Sequence, residues 1–114
     1  GWGMTPVLTR RLVLESPERL ADGGGGFAEV WQARGVLWAE MRAGSGRARA
    51  GEETALGLAP WRITVRAAPQ GSLARPRSGQ RFREGGRLFD ILAVSERDAG
   101  GQYLVCAARE EVVR

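Results

Sequence analysis

Residues 27–42 read FAEVWQARGVLWAEMR, and this stretch decides the fold. Phe27, Glu29 and Trp31 alternate with Ala28, Val30 and Gln32, the period of two that places successive side chains on opposite faces of a strand. The alternation restarts after Gly35, with Val36, Trp38 and Glu40 set against Leu37, Ala39 and Met41. Aromatic and branched residues at this density favour strand over helix. One strand with a bulge or bend near Gly35, or two consecutive strands, fits the pattern.

Working outward, Leu8–Glu15 alternates and reads as a first strand, followed by a loop over Ser16–Gly26 with Pro17 and the run Asp22-Gly23-Gly24-Gly25-Gly26. Gly44–Ala59 changes character: glycines open it, Glu52–Leu58 suits about two helical turns, and Pro60 closes it. A loop of this length inside a small β-domain is uncommon, and such loops are often functional. Trp61–Ala67 puts Trp61, Ile63 and Val65 inward and Arg62, Thr64 and Arg66 outward. Pro69–Gly79 is a second polar loop. Gln80–Ser95 reads as a hairpin turning at Glu84-Gly85-Gly86-Arg87, with Phe89 and Ile91 on one face and Leu88, Leu92 and Val94 on the other. Asp98–Gly101 is another turn, and Gln102–Val113 a last strand. About six or seven short strands predict a single, mainly β domain over residues 1–114, a small antiparallel barrel or sandwich with one long inserted loop near 44–59.

Composition narrows the chemistry. The chain has 114 residues and 17 basic side chains, every one of them Arg; Lys, His and Asn are absent. Residues 1–57 hold 7 Arg and 7 acids, whereas 58–114 hold 10 Arg and 6 acids, so the net +4 sits in the second half. Arg62, Arg66, Arg75, Arg77, Arg81 and Arg83 form a basic segment able to meet an acidic protein or nucleic acid, with Trp61 and Phe82 nearby. Trp61 is in phase with Ile63 and Val65, which argues that both aromatics face the core and leave only the arginines outside. Without His, histidine catalysis and histidine metal ligation are excluded, and Cys106 alone makes no cysteine cluster. Glu52-Glu53 and Glu110-Glu111 are adjacent pairs, which point to opposite faces of a strand and make no acid/base couple. No P-loop follows the glycine run, because the chain has no Lys. The expectation is a protein that is no enzyme and uses no cofactor or metal. No stretch approaches the ~20 apolar residues of a membrane span, and Gly1–Gly3 before Met4 lacks a signal peptide's pattern.

An ordered series of segments resembles phage head-closure (stopper, head–tail adaptor) proteins, including those of gene transfer agents. The series is Leu8-Thr9-Arg10-Arg11-Leu12, Asp22–Phe27 with Trp31, Trp38-Ala39-Glu40-Met41-Arg42 with Ser45-Gly46-Arg47, Arg62-Ile63-Thr64-Val65-Arg66, Gly86-Arg87-Leu88-Phe89-Asp90-Ile91, and Leu104-Val105-Cys106 with Glu110-Glu111. Relatives carry Glu after the Ser-Gly-Arg segment and His before the third strand, where this chain has Ala48 and Trp61. The resemblance implies a structural protein made in the bacterial cytoplasm and built into the neck of a virion. There it would form a homo-oligomeric ring, six-fold or twelve-fold, between a portal-side adaptor and the tail terminator or tail proteins. Double-stranded DNA would pass through its lumen and be retained there. The resemblance makes Gly44, Ser45, Gly46, Arg47, Arg49, Glu52 and Glu53 the channel or inter-ring loop, facing the lumen or packing on a neighbour. A cellular nucleic-acid-binding module built on a small basic barrel is the competing reading.

Overall fold

The computed structural model describes residues 5–44 and 58–111. They form six strands and no helix: β1 (Arg10–Ala21), β2 (Phe27–Ala43), β3 (Leu58–Arg66), β4 (Arg81–Glu84), β5 (Arg87–Glu96) and β6 (Tyr103–Glu111). All neighbours are antiparallel, and the order β1-β2-β3-β6-β5-β4 closes on itself through a short β1–β4 pairing, Val13↔Arg83 to Glu15↔Arg81. The result is an uneven barrel, because β1 and β2 are far longer than their other partners. β2 meets β3 only over Ala39–Ala43, and β1 meets β4 only over Val13–Glu15. Beyond Glu15 and before Ala39 the β1–β2 ribbon therefore leaves the barrel as a two-stranded arm.

The core follows the inward positions of the alternation. Leu12, Leu14, Ile63, Val65, Phe82, Phe89, Leu104 and Cys106 are fully buried. Trp61 is half-buried at the rim, edge-on to Phe89 with ring centroids 6.0 Å apart. The segment 27–42 is one strand, with the bulge at the expected place: Leu14 pairs with Gly35 and Glu15 with Ala33, so Arg34 is the extra residue. In the β4–β5 turn only Gly85 takes a positive φ, 58°, a conformation that an L side chain rarely adopts.

Four expectations are corrected. β1 does not stop at Glu15 but runs to Ala21, through Pro17. No strand lies beyond β1 on that edge, so the missing Pro17 N–H leaves no ladder bond unmade. The loop shrinks to a turn at 22–26, tied by Asp22, whose carboxylate accepts from the amides of Gly24 (2.8 Å) and Gly26 (3.1 Å). β3 begins at Leu58 and includes Pro60, so Leu58 belongs to a strand; the rest of the helical turns expected over Glu52–Leu58 lie outside the described residues. Val94 does not share a face with Leu88 and Leu92. A bulge between Ile91 and Ala93 makes Leu92 the extra residue, half-exposed, and turns Val94 toward the core opposite Cys106. Thr64 does face outward, as expected, but is covered there by the side chains around it, Glu40, Arg42, Arg62 and Arg97.

Candidate assembly and nucleic-acid surfaces

The long loop leaves from the ends of β2 and β3, and Gly44 holds its base. The Gly44 amide donates to the Pro60 carbonyl at 2.8 Å, and a Cβ at residue 44 would lie 2.5 Å from Pro60 Cβ. Close approach, not mobility, is what position 44 requires. Ser45, Gly46, Arg47, Arg49, Glu52 and Glu53 lie outside the described residues.

The basic segment does not form one face. Arg62 and Arg66 are exposed on the outer side of β3, with Arg66 over the Tyr103 ring at 5.7 Å. Arg62 stands directly opposite Arg42 in register, a like-charge pair relieved by Glu40, 3.3 Å from the Arg42 guanidinium. Arg77 is exposed on the 69–80 loop, where its amide donates to Gln80. Arg75 instead bonds the Ala68 carbonyl at 2.7 Å and braces that loop. Arg81 and Arg83 both donate to Glu15, each at 2.8 Å. Phe82 between them is in the core.

Two polar constructions were not visible in the sequence. The first latches the arm. Glu15, 6% exposed, holds Arg81 and Arg83, and the Arg81 guanidinium also lies 4.0 Å over the Trp31 ring. Burial opposes ionisation of Glu15, yet the hydrogen bonds from Arg83 and Arg81 outweigh it and hold its pKa below the usual glutamate value. On the other face Arg34 reaches Ser16 (2.6 Å) and Glu18 (3.0 Å). The second construction clamps the barrel. Arg10 grips Glu84 with two bonds (2.7 and 2.6 Å), and Arg87 grips Glu110 with two more (2.7 and 3.0 Å). Trp61 Nε1 donates to the same Glu110 at 3.0 Å. Five strands meet in this network. Its hydrogen bonds lower the pKa of Glu84, through Arg10 first, and of Glu110, through Arg87 first; they raise those of Arg10 and Arg87.

Burial pushes the Cys106 thiol up to about 12, far from a reactive thiolate. The polar groups close the barrel and stiffen the arm, while the unengaged features are surfaces: exposed arginines, the arm, and apolar patches at Leu20, Phe27, Val36 and Trp38.

Comparison with known proteins gives these surfaces a context. The family model of phage head completion proteins matches residues 4–111. The chain belongs to that family. Its role is therefore structural, in a phage head. A chain in the virion of a native gene transfer agent particle is 58% identical, with 96% of this chain and 100% of that chain covered and a TM-score of 0.77. The solution structure of a Shigella flexneri 2a protein shares the fold at 20% identity and a TM-score of 0.65, covering 94% of this chain and 96% of that one. No curated protein sequence matches. Within this family context, the Gly86–Ile91 segment and the closing Glu110 acquire a physical meaning: Arg87 of the one grips Glu110 of the other and joins β5 to β6.

Proposed function

We propose that this protein is a head-closure component of a phage-like particle of the gene transfer agent kind. Copies form a ring in the neck, between portal-side adaptor and tail, that continues the DNA channel and retains packaged DNA. The role is mechanical and not catalytic. The observation that carries this reading is the 58% identity, over the full length of that chain, to a component of a gene transfer agent virion. The barrel supports it by having the character of a rigid building block: Glu15, Glu84 and Glu110 are committed to internal ion pairs, and the long loop springs from a base pinned by Gly44 and Pro60.

The test is electron microscopy of purified particles carrying a tag on this chain. Label concentrated at the neck, in rotationally repeated density, is the expected result. Absence of label from particles, with the chain co-purifying with nucleic acid in a salt-sensitive manner, would overturn it in favour of the basic nucleic-acid-binding module.

A further inference from the structure

The arm is long, exposed and apolar at its tip, and none of the described residues covers it. Leu20 and Phe27 are 48% and 62% exposed. Leu20 pairs with Ala28 and Phe27 with Ala21, so the two apolar side chains stand on opposite faces and make a wedge. The Arg19 guanidinium lies 4.6 Å from the Phe27 ring centroid and stiffens it. A second unpartnered apolar feature lies at the barrel end of the same ribbon. Leu8, Val36, Trp38, Ala68 and Ala74 line a shallow groove of about 290 Å³ with Arg66 among its lining, and Trp38 is 53% exposed.

We infer that the arm tip of one subunit docks in this groove of the next copy, deepening the ring reading on which it rests. Three observations select a second copy as the occupant. Phe27 and Trp38 are eleven residues apart on one strand, about 35 Å at roughly 3.3 Å per residue, so a tip cannot reach its own groove. The charges are complementary: residues 17–33 carry three acids, of which Arg34 engages Glu18, and one Arg, whereas the groove lining carries Arg66 and no acid. Tip and groove are different patches, so the contact is head-to-tail, the class that generates rings when the rotation closes. Pairing of strand edges is the less suitable mode, because Pro17 blunts the open edge of β1. One such contact buries on the order of 400 Å², judged from its two apolar anchors. That is well below the ~1,200 Å² of a stable pair, so the isolated chain is monomeric and the contact holds only within a closed assembly.

The test uses the double variant Ala21→Cys/Arg11→Cys in assembled particles. Ala21 is exposed beside the wedge and Arg11 is exposed opposite Trp38, so neither change removes an apolar anchor, and the fully buried Cys106 stays out of the reaction. A short bismaleimide is expected to give a ladder of covalent multimers ending at the ring's copy number, with no ladder from Arg11→Cys alone. Particles that show the ring but yield no ladder overturn the arm contact and leave the ring intact. Particles in which the chain forms no ring overturn both. The melting temperature of the double variant, expected within a few degrees of the parent, excludes misfolding as the cause of a missing ladder.

Discussion

β1 crosses two environments in twelve residues. From Arg10 to Glu15 it belongs to the barrel wall, paired with β2 throughout and with β4 over Val13–Glu15, and Leu12 and Leu14 are fully buried. From Ser16 to Ala21 it has only β2 beside it, and four of those six residues are exposed. The barrel half is held by burial, which is unspecific but large. The arm half has no core, and a two-stranded ribbon alone is marginal in water. Its order comes from guanidinium contacts: Arg81 on Trp31, Arg34 on Ser16 and Glu18, and Arg19 on Phe27. The same strand is thus a structural stave at one end and a presented surface at the other, and the two ends should respond differently to substitution.

The sharpest contrast is in the core. Phe89→Ala removes a fully buried ring that packs against Trp61 and should cost about 3–5 kcal/mol. A fall in melting temperature on the order of 10–20 °C is expected; a fall of only a few degrees would mean the barrel is not the main store of stability. Glu15→Ala acts at the junction. It leaves Arg81 and Arg83 without their carboxylate and should cost about 2 kcal/mol in urea unfolding, between the values for exposed and buried ion pairs. Arm amides should also exchange faster than barrel amides in this variant, since Arg81 is left with only one of its two supports.

Acid tests the same polar frame as a whole. Glu15, Glu84 and Glu110 have depressed pKa values, so the folded state binds fewer protons than the unfolded chain. Their stabilisation is fully present above the unfolded glutamate value near 4.5 and is lost as pH falls through the lower folded values. Asp90 opposes this weakly; burial and the nearby Glu111 raise its pKa. Urea midpoints should therefore be flat around neutrality and fall below about pH 4.5. In Glu15→Ala the fall should be shallower. An unchanged acid limb in that variant would remove Glu15 from the set that responds.

How much of this was legible depended on how local the cause was. The strand 27–42 and its bulge near Gly35 were readable because alternation is a property of neighbours in sequence. The β4–β5 turn was readable for the same reason. The arm was not, because Pro17 and four glycines carry the composition of a loop; only the absence of a third strand beyond β1 makes Pro17 acceptable in the ribbon. The clamp was hidden for a different reason. Arg87 and Glu110 are 23 residues apart and Arg10 and Glu84 are 74 apart, and register brings each pair together. Bulges at Arg34 and Leu92 set that register, and a one-residue shift would move every partner to the other face. Of the six arginines in the basic segment, Arg75, Arg81 and Arg83 make internal contacts that charge counting cannot distinguish from display.

The smallest expected effect on folding separates the two ends of the ribbon most cleanly. Phe27→Ser exchanges a 62% exposed ring for a small polar side chain and removes little besides the stacking of Arg19 on that ring. Its folding stability should move by about 0.5 kcal/mol or less, so the isolated variant should melt with the parent. If the tip is only a solvated turn, incorporation into particles should be equally unaffected. If it docks on the next subunit, incorporation should fall several-fold in a protein that is otherwise intact. Trp38→Ser should do the same from the groove side, since Trp38 is also half-exposed. Combining the two should then add little, because either change already removes the shared contact, and such non-additivity is the signature of partners in one interface. Additive losses would assign the two residues to separate contacts, so that the tip of one subunit would not be seated in the groove of the next.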